Sequence, residues 1–288
     1  MCIPGQVASR AALVIRNYST NHSFFLELSD YFLVTKQSTF PFPFGTKGSE
    51  DILSQVLAVA NNTNIPHEIQ RLACRHCVVV GSGYRMKNSS LGDIIDKYDI
   101  VIRLNDAPVH KYEEDVGSKT TLRFFYPESA FFDQVLDSNP DTLLVLVPFK
   151  NLDIQWLKKV LNNETRVNKG FWMRTPLIWK VKSENIRILN PYFMEFAATK
   201  LLQYVVRKGK INTKPTTGFM AISFAIHFCD MVHIAGFGYP RFDDTQPIHY
   251  YDNRSMAILR RSSHKFPAEA IAIRRLLQQN IIQNLTYF

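Results

Sequence analysis

The chain predicts an α/β domain: a central, mostly parallel sheet with helices on both faces. Three observations carry this. Short β-branched runs alternate with longer amphipathic segments from Cys74 onward, and that alternation builds parallel sheets covered on both faces. Hydrophobic residues make up 46% and charged residues 20% of the sequence, which excludes a disordered or fibrous chain. At 288 residues the chain can bury roughly 75% of its unfolded surface, enough for a large single core.

Element by element, the first 70 residues read as irregular. They hold a Pro/Phe-rich stretch at Phe40-Pro41-Phe42-Pro43-Phe44 and one helical candidate at 51–60. Strands are expected at 78–80, 100–103, 121–125, 143–147, 186–189 and 231–235, where β-branched and aromatic residues cluster. Helices are expected at 91–97, 152–161, 191–205, 217–228 and 267–279. Asn190-Pro191 is a good helix start, a capping side chain followed by a proline whose missing N–H costs nothing there. No internal repeat or Gly/Ser linker breaks the chain. In such a fold ligands sit at the carboxyl ends of the strands.

The net charge of +9 suits an anionic partner such as a nucleotide or phosphate, or else a generally basic surface. No run of Lys and Arg supports nucleic acid. The most apolar stretch, 219–238, contains His227, Asp230 and His233, so it reads as a buried helix and strand rather than a membrane span. Met1-Cys2-Ile3-Pro4 does not open a signal peptide. Two features nevertheless suggest a lumenal protein. Asn-x-Ser/Thr occurs seven times, at Asn17, Asn21, Asn61, Asn88, Asn163, Asn253 and Asn284, against roughly two expected by chance. The four cysteines are the other feature.

Cys74-x-x-Cys77 has three readings: half a zinc site, a redox dithiol, or two cysteines in separate disulfides. Only Cys2 and Cys229 remain, and they form no second Cys-x-x-Cys, which disfavours zinc. A redox pair normally opens a helix, whereas this pair opens a strand. With the sequons, two disulfides are favoured.

Four constellations can carry chemistry. Gly81-Ser82-Gly83 follows a strand and precedes an expected helix, where backbone N–H groups can approach a phosphate; an empty tight turn is the competing reading. Arg103-Leu104-Asn105-Asp106 ends the next strand, with an amide suited to a ribose or base edge and an arginine suited to a buried structural pair. Pro215-Thr216-Thr217-Gly218 opens a strongly apolar helix, as a plain N-cap or an anion site. His249-Tyr250-Tyr251-Asp252 and His264, with Glu269 five residues on, supply two histidines that are either structural or a general base and a cationic phosphate partner.

Together these residues resemble glycosyltransferase family 29. Residues 74–129 look like its large sialyl motif, 215–238 like its small one, 249–252 like the third and 264–269 like the very small one. The order is right and the similarity covers nearly the whole chain. It is nearest to the β-galactoside α-2,3-sialyltransferases, through segments such as IRILNPYFMEFAA and VHIAGFGYP. The resemblance implies a GT-A-like single domain, with 1–70 a residual stem and N-terminal segment packed on a catalytic domain at 71–288. It implies a Golgi type II membrane enzyme that moves sialic acid from CMP-sialic acid to the 3-hydroxyl of terminal galactose on glycoproteins or glycolipids. The anchor and most of the stem are not seen at this N-terminus.

The resemblance also assigns roles. Ser82 and Asn105 would lie along the CMP; Thr216, Thr217 and Gly218 would hold the donor phosphate and sialic carboxylate; Gly238 would approach the cytidine. His249 would contact the donor phosphate and His264 would be the catalytic base. Trp172 falls where relatives place an aromatic near the substrates. Relatives usually carry Asn in place of Ser82 and Glu in place of Asp252, longer side chains in both cases. The expected disulfides are Cys77–Cys229, joining large motif to small, and Cys2–Cys74. No metal or other cofactor is expected: Asp243-Asp244 are adjacent in a polar loop and point in different directions, and the donor carries one phosphate. The rival readings are a Rossmann-type dinucleotide oxidoreductase, which would need a fuller glycine fingerprint, and a catalytically inactive glycan-binding relative.

Overall fold

A computed structural model describes residues 2–32, 38–60, 64–164, 169–211, 213–238, 245–255, 257 and 262–286. Seven strands form one sheet: β1 (His76–Val80), β2 (Ile100–Leu104), β3 (Leu122–Phe125), β4 (Leu143–Leu146), β5 (Ile186–Ile188), β6 (Met231–Ala235) and β7 (Gln283–Asn284). Their order is β5-β4-β3-β2-β1-β6-β7, and every pairing is parallel. The helices are α1 (Gln6–Val14), α2 (Ser29–Phe32), α3 (Glu50–Ala60), α4 (His67–Gln70), α5 (Gly92–Ile95), α6 (Glu113–Val116), α7 (Asn151–Leu161), α8 (Tyr192–Glu195), α9 (Thr217–Phe228) and α10 (Phe266–Gln278).

Residues of β2, β3 and β4 are buried at every position, because both faces of the sheet are covered. On one face Val79, Ile102, Leu122, Phe124 and Val145 pack against α9, α1 and α8. On the other, Leu144, Leu146 and Ile188 meet α3 and α7, while Val78, Val80 and Val101 cover Ile95 and Val116 of α5 and α6. Helix α9 is buried almost all round, which explains why its sequence shows no polar face.

Cys77 and Cys229 form a disulfide between β1 and the C-terminal end of α9, and Cys2 and Cys74 form the other, as expected. Closing loops of 152 and 72 residues stabilises the fold by roughly 4–5 kcal/mol each in the chain-entropy account.

The structure departs from the sequence expectations in four places. The first 70 residues are more ordered than expected: α1 docks on α9 and β6, held where Asp230 Oδ1 accepts from Gly5 N–H (2.6 Å) and the Asp230 carbonyl accepts from Val7 N–H (3.1 Å). The helix expected at 191–205 becomes α8 and a widened turn at Phe196–Leu201, which buries Phe196, Ala197, Ala198 and Leu201 together before Gln203 turns left-handed (φ 57°). Strand β7 is too short to leave a periodic signal. Arg103 is buried as expected, but its partners are the carbonyls of Val116, Gly117 and Lys119 and the Thr120 hydroxyl rather than one carboxylate. Burial lowers its guanidinium to about 10.

Candidate active site

The carboxyl ends of β1, β2 and β6 meet at one crest. Gly81 N–H donates to the Ala235 carbonyl (2.8 Å) and Gly83 N–H to the Gly236 carbonyl (3.0 Å). A Cβ at Gly81 or Gly83 would come within 2.6 or 2.3 Å of that Gly236 oxygen, so both glycines are required by the approach of the two turns. The helix expected after Gly83 is only a three-residue 3₁₀ turn, Tyr84–Met86. It supplies no helix terminus for a phosphate, and that part of the expectation is corrected.

The turn instead receives the His249 loop. Tyr84 N–H donates to the Ile248 carbonyl (3.0 Å), Tyr250 N–H donates to the Ser82 carbonyl (3.1 Å), and Gly83 pairs with His249 as an antiparallel bridge. Residues 166 positions apart in the chain are thus brought together by backbone bonds. His249 Nδ1 lies 2.9 Å from Asp252 Oδ2, both side chains half-buried, and the Tyr251 ring stacks on the imidazole at 5.0 Å. The shorter Asp252 therefore reaches its histidine. With Nδ1–H donated to the carboxylate, Nε2 is left for a substrate.

Asn105 ends β2 in the left-handed conformation (φ 53°), one that asparagine tolerates. Its carbonyl accepts from the buried Arg123 guanidinium (2.9 Å), and its Oδ1 lies 3.1 Å from the Ser129 hydroxyl. Ser82 is half-buried on the facing turn. Gly238, just beyond β6, adopts φ 107°, which side chains rarely do.

Helix α9 opens with an arrangement the sequence did not reveal. Thr216 Oγ1 caps the helix by accepting from Phe219 N–H (3.1 Å). The same hydroxyl donates to Glu269 Oε2 (2.6 Å), and Thr216 N–H donates to Glu269 Oε1 (2.7 Å). Glu269, in the first turn of α10, is buried; desolvation pushes its carboxyl up to about 7 and the two Thr216 bonds pull the other way. The N–H groups of Thr217 and Gly218 face off the helix end, and there an anion is favoured. A Cβ on Gly218 would press Phe237 at 3.1 Å and Leu104 at 3.2 Å.

His264 precedes α10, and its Nδ1 lies 2.7 Å from the Lys214 carbonyl. A carbonyl only accepts, so Nδ1 carries the proton and Nε2 the lone pair. Burial lowers the imidazole pKa; the carbonyl bond raises it, and the Lys214 ammonium lowers it further. The ring is therefore neutral near pH 7, the form a general base needs. Lys214 and Glu269 thus join the very small motif to the start of α9, and neither link could be read from chain separations of about fifty residues.

Trp172 is 68% exposed and lines a cleft of about 390 Å³ with Phe171, Met173 and Arg174. Its N–H donates to Glu128 Oε1 (3.3 Å), and its ring lies 6.4 Å from Tyr126. No direct contact joins Trp172 to His264; Tyr126, Phe149 and Lys214 lie between them as successive neighbours. Asn17, Asn21, Asn88, Asn163 and Asn253 are exposed, whereas Asn284 is half-buried in β7 with Oδ1 accepting from Thr286. Asn61, Asp243 and Asp244 lie outside the described residues.

The family model described as glycosyltransferase family 29 (sialyltransferase) matches residues 24–281. CMP-N-acetylneuraminate-beta-galactosamide-alpha-2,3-sialyltransferase 4 of Rattus norvegicus is 54% identical over 289 residues, covering 100% of this chain and 86% of its own. The type 2 lactosamine alpha-2,3-sialyltransferase of Mus musculus is 38% identical, over 91% of this chain and 81% of its own. The crystal structure of a mammalian sialyltransferase in complex with Gal-beta-1-3GalNAc-ortho-nitrophenol superposes with a TM-score of 0.75 at 26% identity, covering 98% of this chain and 96% of that one. The four motif segments, the all-parallel sheet and these likenesses agree, and the chain belongs to glycosyltransferase family 29, the sialyltransferases.

Proposed function

We propose that the chain transfers sialic acid from CMP-sialic acid to the 3-hydroxyl of terminal β-galactose, forming an α-2,3 linkage with inversion. The observation that carries this is the pair of oriented imidazoles. His264 presents a neutral Nε2; His249 is held by Asp252 on the far side of the same crest. His264 takes the proton from the galactose hydroxyl as that oxygen attacks the anomeric carbon. His249 and the N–H groups of Thr217 and Gly218 stabilise the phosphate as CMP leaves. Thr216, capped and anchored by Glu269, keeps that helix end in place for the phosphate and the sialic carboxylate. Ser82, Asn105 and Gly238 line the nucleotide side, and Trp172 the acceptor side.

A leaving group with one phosphate needs no divalent cation when protein donors can take its charge, so transfer is proposed to be metal-free. Two disulfides and the exposed sequons suit an oxidising lumen. The proposed location is accordingly the Golgi lumen, as a type II membrane protein. Among the described residues no helix is long and apolar enough to cross a membrane. Acceptors are proposed to be galactose-terminated glycans of glycoproteins and glycolipids. The test is incubation of purified protein with CMP-sialic acid and a panel of galactosides. Release of CMP that depends on a β-galactoside supports the reading; release indifferent to acceptor contradicts it.

A further inference from the structure

Beside the proposed acceptor cleft lies a charged cluster that the mechanism does not use. Glu128 sits on the 3₁₀ turn Pro127–Ser129 after β3, its side chain only 3% exposed. One oxygen, Oε1, serves two donors: the Lys150 ammonium at 3.3 Å and the Trp172 backbone N–H at 3.3 Å. The ammonium also lies 4.6 Å from the Phe171 ring centroid and 3.8 Å from Asp153 Oδ1. Asp153 in turn fixes the start of α7, accepting at Oδ2 from Phe149 N–H (2.8 Å) and Lys150 N–H (3.1 Å).

Burying a carboxylate is costly unless it is paired and hydrogen-bonded. Here the buried pair grips two consecutive residues: Glu128 holds the backbone of Trp172, and Lys150 lies over the ring of Phe171. The indole itself is left 68% exposed beside the cleft. A large aromatic face kept in water on a backbone fixed by a buried ion pair is pre-organised to stack on the apolar face of a sugar, which removes an ordering cost from binding.

We propose that Glu128 and Lys150 are positioning residues for the acceptor: they set its affinity by holding Phe171 and Trp172 in place and do not touch the reacting atoms. This rests on the reading that Trp172 faces the acceptor. Acceptor KM, donor KM and acceptor-independent hydrolysis of CMP-sialic acid would be measured for Lys150→Met, Lys150→Arg, Glu128→Ala and Trp172→Ala, with thermal unfolding as a folding check. Lys150→Met and Glu128→Ala are expected to raise acceptor KM about tenfold, leaving donor KM and hydrolysis unchanged. Lys150→Arg should restore most of the affinity. Adding Lys150→Met to Trp172→Ala should change acceptor KM less than about twofold, because the gripped residue is already gone. An unchanged acceptor KM in Lys150→Met, independent effects in the double variant, or a parallel fall in donor hydrolysis would overturn the proposal. If Glu128→Ala does not fold, the Lys150 series decides alone. Wild-type protein without transfer would sink the functional reading itself. Wild-type transfer with Trp172→Ala unaltered in acceptor KM would sink only this inference.

Discussion

Glu269 receives both the backbone N–H and the hydroxyl of Thr216, at 2.7 and 2.6 Å, across 53 residues of chain. One buried carboxylate therefore ties the C-terminal helix to the helix end that faces the donor phosphate. Five residues earlier, His264 is tied to the same segment through the Lys214 carbonyl. Base and anion site are locked to one another by these two links.

The first prediction concerns that base. His264→Ala should lose at least about a hundredfold in kcat, the lower end for a positioned general base, while CMP still binds. Steady-state rates with calorimetric CMP titration check this; a variant keeping more than about a tenth of wild-type kcat would end the assignment.

His249→Ala should weaken donor binding as well as turnover, because a phosphate partner acts in ground and transition states alike. Asp252→Asn should give a milder version, since the amide can still orient the ring. Donor KM is the deciding readout: unchanged in His249→Ala, it would confine the histidine to the transition state.

The acid limb of kcat/KM should lie below the usual histidine value, because burial lowers His264. The Lys214 charge contributes to that lowering, so Lys214→Met should move the limb to higher pH. A pH–rate profile that is identical in the variant would show that His264 does not set the limb.

Glu269 gives a stability prediction with a definite sign. Its folded carboxyl titrates at about 7, above the ordinary 4.5 of the unfolded chain. Between those values the folded state binds more protons, so this group's contribution falls as pH rises from about 4.5 to 7, by roughly 3 kcal/mol at most. Glu269→Gln should remove that slope. Urea midpoints of both proteins at pH 5 and pH 8 measure it, and the wild-type-minus-variant difference should be larger at pH 5. A difference that grows toward pH 8 would mean the group is stabilised as a carboxylate.

Full activity is expected in excess EDTA. A rate abolished by the chelator and restored by Mn²⁺ or Mg²⁺ would make a cation part of the reaction and return Asp243 and Asp244 to consideration as ligands.

Much of the sheet was legible because its strands are continuous β-branched runs between polar breaks. Residues 231–235 and 217–228 match β6 and α9 to the residue. Helix α1 was not legible: no side chain caps it, and what holds it is Asp230, more than 200 residues away. The site was legible as separate motifs. Its assembly was not, since the contacts of Glu269 with Thr216, His264 with the Lys214 carbonyl and Gly83 with His249 join distant segments. The glycines at 81 and 83 suggested a phosphate loop, but their spacing answers to the Gly236 carbonyl. Glu128 and Lys150 left no signal at all, because a lone Pro-Glu-Ser after a strand and a lysine before a helix look like ordinary surface.

The most direct test of the central claim is the NMR structure of the product formed from CMP-sialic acid and a β-galactoside by the purified protein. The account predicts α-linked sialic acid on galactose C3, with CMP released in equal amount and transfer lost in His264→Ala. Sialic acid on another hydroxyl, or transfer undiminished in that variant, would contradict it.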